Sequence, residues 1–562
     1  MRLFGTIELT QELTRRVALA AILLLSLALN CYQLSWGLPN GNSSWAADAL
    51  GPLTVFSIVR RSIAQWNSGW FYFKYPLGYP LLLAASYVPY LASLAVTGQL
   101  RHLTLTYPYG FSHPESALYV MALLGRLVSV ACTVGTVALT YGIGRRLFDR
   151  VTGLLGAWFV ATAYPIVYYA HTSNLDAAYV FWLVLALWGA LLATESDRRW
   201  PYMICGVAAA MAVSTKEQGF AFLLPLPVLI AAYRVRAVQS DLSPWQRWRR
   251  AVWNGATRAG IAAMLITVAL VNNAFANPHG FVNRLRYLSG RPVPGVAARF
   301  APLEFGFFKG LPKEWQYVCQ LTDVLESGFG LPLLLITVAG GLYIVVRGRR
   351  AATYLLIPAA VQYYLSLRTL DLITLRYTLL CLVIGGLCAG ALGVAVARSW
   401  RVGAVAVAIV CALGLARAVE LDLLLQHDSR YQAERWLVSH AVAASSIETY
   451  QKAAYLPRLS GFDHREVPLE QRTLDGIEQR RPDFIIISSA AKKGITHRWN
   501  PDWRQGHTLL IPGPGAPAFL GALEREQLPY RRVARFEQRP MLLRLRITSL
   551  CPEISIFQRV AP

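Results

Sequence analysis

About eleven apolar runs, each close to the length that crosses some 30 Å of hydrocarbon, constrain this chain more than any other feature. They lie near residues 17–34, 117–142, 152–170, 177–194, 201–215, 219–233, 259–276, 328–346, 352–367, 377–397 and 402–420. A backbone in lipid has to satisfy its own polar groups, so such runs predict helices packed into a bundle. Only 15% of the 562 residues are charged, against about 25% in soluble globular domains, which excludes a soluble enzyme or a secreted mini-domain.

Arginines punctuate the runs. Arg15/Arg16, Arg145/Arg146, Arg198/Arg199, Arg347/Arg349 and Arg398/Arg401 all fall on one side, the cytoplasmic one, if eleven segments span and the N-terminus is cytoplasmic. A twelfth run, 80–97, is interrupted by Pro89, and counting it would turn every later cluster outward. It is therefore expected as an interfacial or re-entrant helix inside one long outer loop, 35–116. The first run reads as a retained signal-anchor. The outer face then receives 35–116, 277–327 and 421–562.

The chain's net charge of +23 follows from the same pattern: residues 1–420 hold 34 Lys/Arg against 16 Asp/Glu. Basic residues in short loops orient a membrane protein, so they do not indicate a nucleic-acid partner. The tryptophan- and arginine-rich segment SPWQRWRRAVWNGATR (243–258) likewise reads as an interfacial helix on anionic lipid. Eight cysteines without a CxxC spacing indicate neither a disulfide framework nor a zinc site.

From 421 onward the character changes. RYQAERWLVSH (430–440) and AFLGALEREQL (518–528) predict helices, while PDFIIISS (482–489), YRRVARFEQ (530–538) and ISIFQRV (554–560) predict strands. The tail is thus expected to be a small extracytoplasmic α/β domain, 421–562, behind a membrane domain, 1–420.

Ionisable residues at a membrane domain are expensive and need a reason. Two acids stand out: Asp48 in SSWAADALGP, and Asp176 in AHTSNLD, where two spans are joined by only a few residues. The bland reading of each is a helix cap or a loop acid. Cations gather on the same side: Lys74 beside Tyr75 in FYFKYPLGYP, Arg126, Lys216 beside Glu217, and Arg376 beside Tyr377, with His171 nearby. Several cations converging with two carboxylates at one membrane face suggest an anion site of the kind a polyprenyl phosphate would occupy.

These segments, taken in order with RLVSVACTVGTVALTYGIGRRLFDR, AYPIVYYAHTSNLDAAYVFW and AVSTKEQGFAFLLPLPVLI, resemble the GT-C membrane glycosyltransferases, and within them glycosyltransferase family 39 and its bacterial relatives. That family includes protein O-mannosyltransferases and lipid A aminoarabinose transferases. The similarity is good over about residues 10–235, loose to 420 and only general in the tail. It implies a polytopic α-helical membrane protein of GT-C type, with about 11 transmembrane helices, an interfacial or re-entrant helix, and the small α/β domain.

The resemblance further implies a sugar donor on polyprenyl phosphate, taken up at the extracytoplasmic face of a bacterial inner membrane. Asp48 matches the family's first-loop catalytic acid and Asp176 the second. Lys74, Tyr75, Arg126, Lys216 and Arg376 are expected to hold the donor phosphate, while His171, Glu217 and Tyr377 contact substrate or a cation. Ala49 follows Asp48 where the family often has Asp-Glu, and Lys74-Tyr75-Pro76 stands for its Glu-Lys-Pro or Pro-Pro element. No cofactor is assigned, although some GT-C members bind a divalent metal, for which the two outer acids and His171 would be ligands. The acceptor is a hydroxyl on protein, lipid or glycan. The rival readings are a transporter or flippase of lipid-linked sugar and an inactive envelope scaffold.

Overall fold

The computed structural model describes residues 2–39, 44–46, 49–64, 75–238, 242–289, 291–293, 311–370, 373–442, 444–468, 471–489, 516–544, 547 and 549–560. The chain divides into two compact units. One comprises Met1–Leu34 and Leu50–Ala418; the other comprises Ser35–Ala49 and Val419–Pro562.

The first unit is helical. Its first eight α-helices are α1 (Arg2–Cys31), α2 (Pro52–Ala64), α3 (Gly78–Val96), α4 (Pro114–Leu147), α5 (Arg150–Ala161), α6 (Tyr164–Ala170), α7 (Leu175–Glu195) and α8 (Arg199–Thr215). Helix α4 shows how the termini are set: Pro114 opens it and Glu115 sits in its first turn, while Arg145 and Arg146 close it. Each charge matches the partial charge of its helix end. Helix α7 and the helix Leu379–Ser399 are apolar on every face, with 72% and 78% of their most apolar stretch buried, and they form the centre of the bundle. Small residues let backbones close up. A Cβ on Gly206 of α8 would lie 2.2 Å from the Gly260 carbonyl oxygen, and one on Gly144 of α4 would lie 2.7 Å from Gly153 Cα of α5.

Among the described residues, seven helices are long and apolar enough to cross a membrane, or up to ten if each of three bent pairs counts as one span. This differs in detail from the eleven expected. The runs 201–215 and 352–367 become 17-residue helices, and 152–170 bends by 61° between α5 and α6, at Pro165. The 116° bend between Lys313–Phe329 and Leu331–Arg347 falls at Gly330, whose φ of +76° suits glycine.

At 80–97 the helix differs from expectation in one respect. Pro89 does not interrupt it: α3 is one continuous helix of 19 residues and qualifies as a span by length and apolarity. Its neighbours accommodate the proline, because α3 packs Leu83 and Tyr87 into the same buried cluster as Met121 of α4 and Phe56 of α2.

The second unit carries a five-stranded sheet in the order β2-β1-β3-β5-β4: β1 (Ser446–Thr449), β2 (Asp463–Glu466), β3 (Phe484–Ser488), β4 (Tyr530–Phe536) and β5 (Ile554–Arg559). Strands β2, β1 and β3 run parallel, and β5 lies antiparallel between β3 and β4. All of β3, FIIIS, is buried, as a strand covered on both faces requires. Side chains alternate between two clusters, Ile485 and Ile487 in one, Phe484 and Ile486 in the other. Helices Ser429–His440 and Ala516–Glu524, with β3, β4 and β5, occupy the places expected from the sequence. Strands β1 and β2 were not expected; β2, DHRE, is exposed throughout and carries the charged character of a protected edge.

Candidate active site

Asp176 and Lys216 reach each other from two helix ends. Asn174 caps α7 and accepts the Asp176 backbone N–H, which places Asp176 in the first turn. Lys216 is the residue that closes α8. A carboxylate at a helix N-terminus and an ammonium at a C-terminus both suit the helix dipole. Lys216 Nζ donates to Asp176 Oδ1 at 2.7 Å, and the two residues are 6% and 1% exposed, so this is a buried ion pair.

Aromatic rings hold the ammonium from its other sides. Lys216 Nζ lies 5.3 Å from the centre of the Tyr179 ring and 4.5 Å from that of Tyr377. These distances favour attraction to the ring faces. Tyr377 belongs to the short helix Leu375–Tyr377, and its hydroxyl accepts from an Arg376 terminal nitrogen at 2.9 Å. The Arg376 guanidinium also stands 4.9 Å from the Tyr377 ring centre. Carboxylate, ammonium, phenol and guanidinium thus form one chain of contacts from three separate segments. Beside these groups, buried Thr215 Oγ1 and Thr374 Oγ1, and Gln362 Oε1 of the separate helix Arg349–Leu365, have no hydrogen-bond partner among the described residues. Gln362 donates through Nε2 to the Tyr179 hydroxyl at 3.4 Å. Buried polar atoms in that condition are what a polar ligand site offers.

Two further segments arrive at this end of the first unit. Leu50 N–H donates to the Ser173 carbonyl at 3.1 Å, and Ser173 Oγ donates to the Leu50 carbonyl at 3.0 Å. Gly78, at the start of α3, sits so close to α8 that a Cβ there would lie 2.5 Å from the Ser214 carbonyl oxygen. The sequence segments flanking Asp48 and Lys74 are thereby brought to the loop of Asp176 and the helix end of Lys216. Asp48 and Lys74 themselves lie outside the described residues.

Other expected site residues sit elsewhere. Arg126, 1% exposed, donates to the Leu34 carbonyl, and His171 Nε2 lies 2.6 Å from the Tyr32 carbonyl oxygen. Both therefore engage carbonyls just past the C-terminal end of α1. His171 Nδ1 also faces the Val167 carbonyl at 2.8 Å. Glu217 is paired with Arg284. Tyr75 packs against the cluster shared by α2, α3 and α4. Among the described residues no three His, Cys, Asp or Glu side chains are placed to hold one metal ion.

Tyr179, Ser173 and Gln362 were not expected. Tyr179 was legible, since it lies three residues after Asp176 on the same face of α7. Ser173 and Gln362 act through contacts distant in sequence and carry no local signal.

Residues 120–246, which contain Arg126, His171, Asp176, Lys216 and Glu217, match the family model described as dolichyl-phosphate-mannose-protein mannosyltransferase. No curated protein matches the chain by sequence. Among solved structures, it is similar to the archaeal oligosaccharyltransferase AglB from Archaeoglobus fulgidus, in complex with an inhibitory peptide and a dolichol-phosphate. That likeness has 11% identity and a TM-score of 0.45, covering 98% of this chain and 89% of AglB. It is also similar to ArnT from Cupriavidus metallidurans bound to undecaprenyl phosphate, at 14% identity and a TM-score of 0.45, covering 96% of this chain and 97% of ArnT. Over residues 120–246 the resemblance seen in the sequence is found again, there to the protein mannosyltransferase family.

Proposed function

We propose that this polytopic membrane protein transfers a sugar from a polyprenyl-phosphate donor to an acceptor hydroxyl at the extracytoplasmic face of a bacterial inner membrane. One observation carries the reading: a buried carboxylate–ammonium pair, two tyrosines and an arginine converge where the segments flanking Asp48 and Lys74 also arrive. The family match over residues 120–246 supplies the chemistry to test against it.

In this reading Arg376, with Lys216 and Lys74, receives the donor phosphate. Asp176 holds the Lys216 ammonium in place. The acceptor oxygen attacks C1 of the sugar, the bond from C1 to the phosphate oxygen breaks, and Asp48 takes the acceptor's proton. The bonding electrons leave with polyprenyl phosphate, which gains negative charge as it departs. Fixed cations aimed at that developing charge lower the barrier because they need no reorganisation. The departing phosphate is already a good leaving group, so the step asks for no nucleotide and no general acid. A positioned carboxylate base contributes about 10²–10⁴-fold. The acceptor is a hydroxyl of a protein, lipid or glycan.

The test uses purified protein in lipid nanodiscs with a panel of polyprenyl-phosphate sugars and envelope extract, following free polyprenyl phosphate. Release that requires both a donor and extract is expected. Asp48→Asn should lower kcat by about 10²–10⁴-fold with donor KM little changed, and Arg376→Ala should raise donor KM. Undiminished release in Asp48→Asn removes the base assignment. No release from any donor by folded protein overturns the transferase reading in favour of transport or scaffolding.

A further inference from the structure

The segment SPWQRWRRAVWNGATR takes no part in the transfer chemistry, yet it opens with a firmly terminated helix, Pro244–Val252. Ser243 and Gln246 cap each other. The Ser243 hydroxyl accepts the Gln246 backbone N–H at 3.3 Å, and the Gln246 side-chain carbonyl accepts the Ser243 N–H at 3.1 Å. Asn254 then joins this helix to the next, Gly255–Val271: its Nδ2 donates to the Ala251 carbonyl at 3.1 Å, and its Oδ1 accepts the Thr257 N–H at 2.9 Å. The helices meet at 47°, with one side chain bonded to both.

That junction locates the first helix. Gly255–Val271 is pressed against α8 on one side, where Gly206 and Gly260 meet. On the other it exposes Ile261, Leu265, Ile266 and Leu270, a face that lipid covers in a polytopic membrane protein. Pro244–Val252, at the end of that face, therefore stands at the membrane surface. It packs on the helix Pro225–Ala237, and its Ala251 is 2% exposed. Trp245 and Trp248, one turn apart on an open face, are 66% and 43% exposed, with their rings stacked at 5.2 Å and 13°. Exposed paired indoles suit a boundary that is apolar on one side and wet on the other.

The charges around these rings lack internal partners. Elsewhere in the first unit, arginines at helix ends meet carboxylates: Arg146 and Arg350 share Glu195, Arg234 meets Asp197, and Arg398 meets Asp149. Arg247, Arg249, Arg250 and Arg258 make no ion pair among the described residues. Buried Arg247 Nε has no hydrogen-bond partner there either. Arg258 lies in the first turn of its helix, where the dipole disfavours a cation, so an anion from outside the chain would relieve it.

We infer that the helix Pro244–Val252 is a docking element for anionic phospholipid. Its indoles seat at the boundary between headgroups and acyl chains, and the arginines beside them pair with headgroup phosphates. Aromatic rings among arginines also suit single-stranded nucleic acid. Here the open face continues through Asn254 into the apolar face of Gly255–Val271, and only a bilayer covers both. The inference is independent of the transferase reading.

The experiment places the whole protein in nanodiscs of phosphatidylcholine, with and without phosphatidylglycerol, and follows hydrogen–deuterium exchange of the peptide spanning residues 242–254. Anionic lipid is expected to slow exchange there about tenfold, and raised salt to reverse the effect by screening. An arginine at an anionic surface contributes about 1 kcal/mol, or about fivefold. Arg249→Gln should therefore exchange like wild type in neutral discs and lose about fivefold of the slowing in anionic ones. Trp245→Ala/Trp248→Ala should exchange faster in both, because indoles seat the helix whatever the headgroup charge.

Equal exchange of the wild-type peptide in the two kinds of disc would overturn the inference. So would a slowing by anionic lipid that Arg249→Gln and Arg250→Gln both leave intact. Equal slowing in neutral discs by inorganic phosphate would overturn it in favour of a site for one phosphate group. Equal slowing there by single-stranded RNA would overturn it in favour of a nucleic-acid surface. Arg249 and Arg250 are exposed, so their variants keep the test decisive should the tryptophan pair be needed for folding.

Discussion

Leu50 and Ser173 exchange two hydrogen bonds, N–H to carbonyl at 3.1 Å and hydroxyl to carbonyl at 3.0 Å. Leu50 follows Asp48 by two positions and Ser173 precedes Asp176 by three, so this one pairing brings the start of α2 to the loop before α7. Ser173→Ala deletes the hydroxyl donor and leaves the Leu50 carbonyl short of a partner in a buried place. A stability loss of about 1–3 kcal/mol is expected, with a fall in kcat larger than the fall in donor affinity. Thermal denaturation and polyprenyl phosphate release check it, and an unchanged kcat would separate this link from the chemistry.

The Asp176–Lys216 pair makes a sharper distinction between structure and function. Removing one partner strands the other's charge at a buried site, so Asp176→Asn and Lys216→Met should each cost about 3–5 kcal/mol. The double variant, Asp176→Asn with Lys216→Met, should regain much of that stability, because neither buried group then carries charge. Transfer activity should stay lost, since the phosphate would have no ammonium to meet. A double variant that is stable and active would show the pair to be structural alone.

Acid sensitivity of the second unit has an identifiable contributor. The Ser446 backbone N–H, 3.0 Å from Asp483 Oδ2, is the main influence holding the Asp483 carboxyl below the usual carboxylate range; the Ser446 hydroxyl at 2.9 Å and Arg559 at 3.1 Å add to it, against a partial burial that works the other way. A depressed folded pKa means that the unfolded chain binds the proton more readily. The stabilisation is complete above the unfolded value of about 3.9 and disappears as pH falls through the lower folded value. Asp483→Asn should therefore lower the unit's stability at pH 7, and the gap to wild type should close in strong acid. Melting curves of the whole protein between pH 7 and 2 test the sign.

The helical architecture was legible from the sequence because its cause is local. A run of about 20 apolar residues with arginines at its ends has few folded states open to it. The strand FIIIS and the alternating YRRVARF were legible for a similar reason, since burial pattern repeats within a few residues. The exposed strand DHRE was not, because an edge strand has no apolar period to read. Pro89 misled because a proline's cost is local, whereas the helix around it is sustained by packing against α2 and α4.

At the candidate site the sequence determined which charged residues stood where a membrane protein would not place them without cause: Asp176, Lys216, Arg376, Arg126 and His171. Only the tertiary structure decided their partners. It joined Asp176 to Lys216, 40 positions apart, and directed Arg126 and His171 to carbonyls at the end of α1. It also assigned Ser35–Ala49 to the unit of the C-terminal sheet, through a tryptophan donating to a carboxylate 392 positions away. Periodicity reports the face a residue presents, but a partner across hundreds of residues is chosen by packing and by the cost of leaving a buried charge alone.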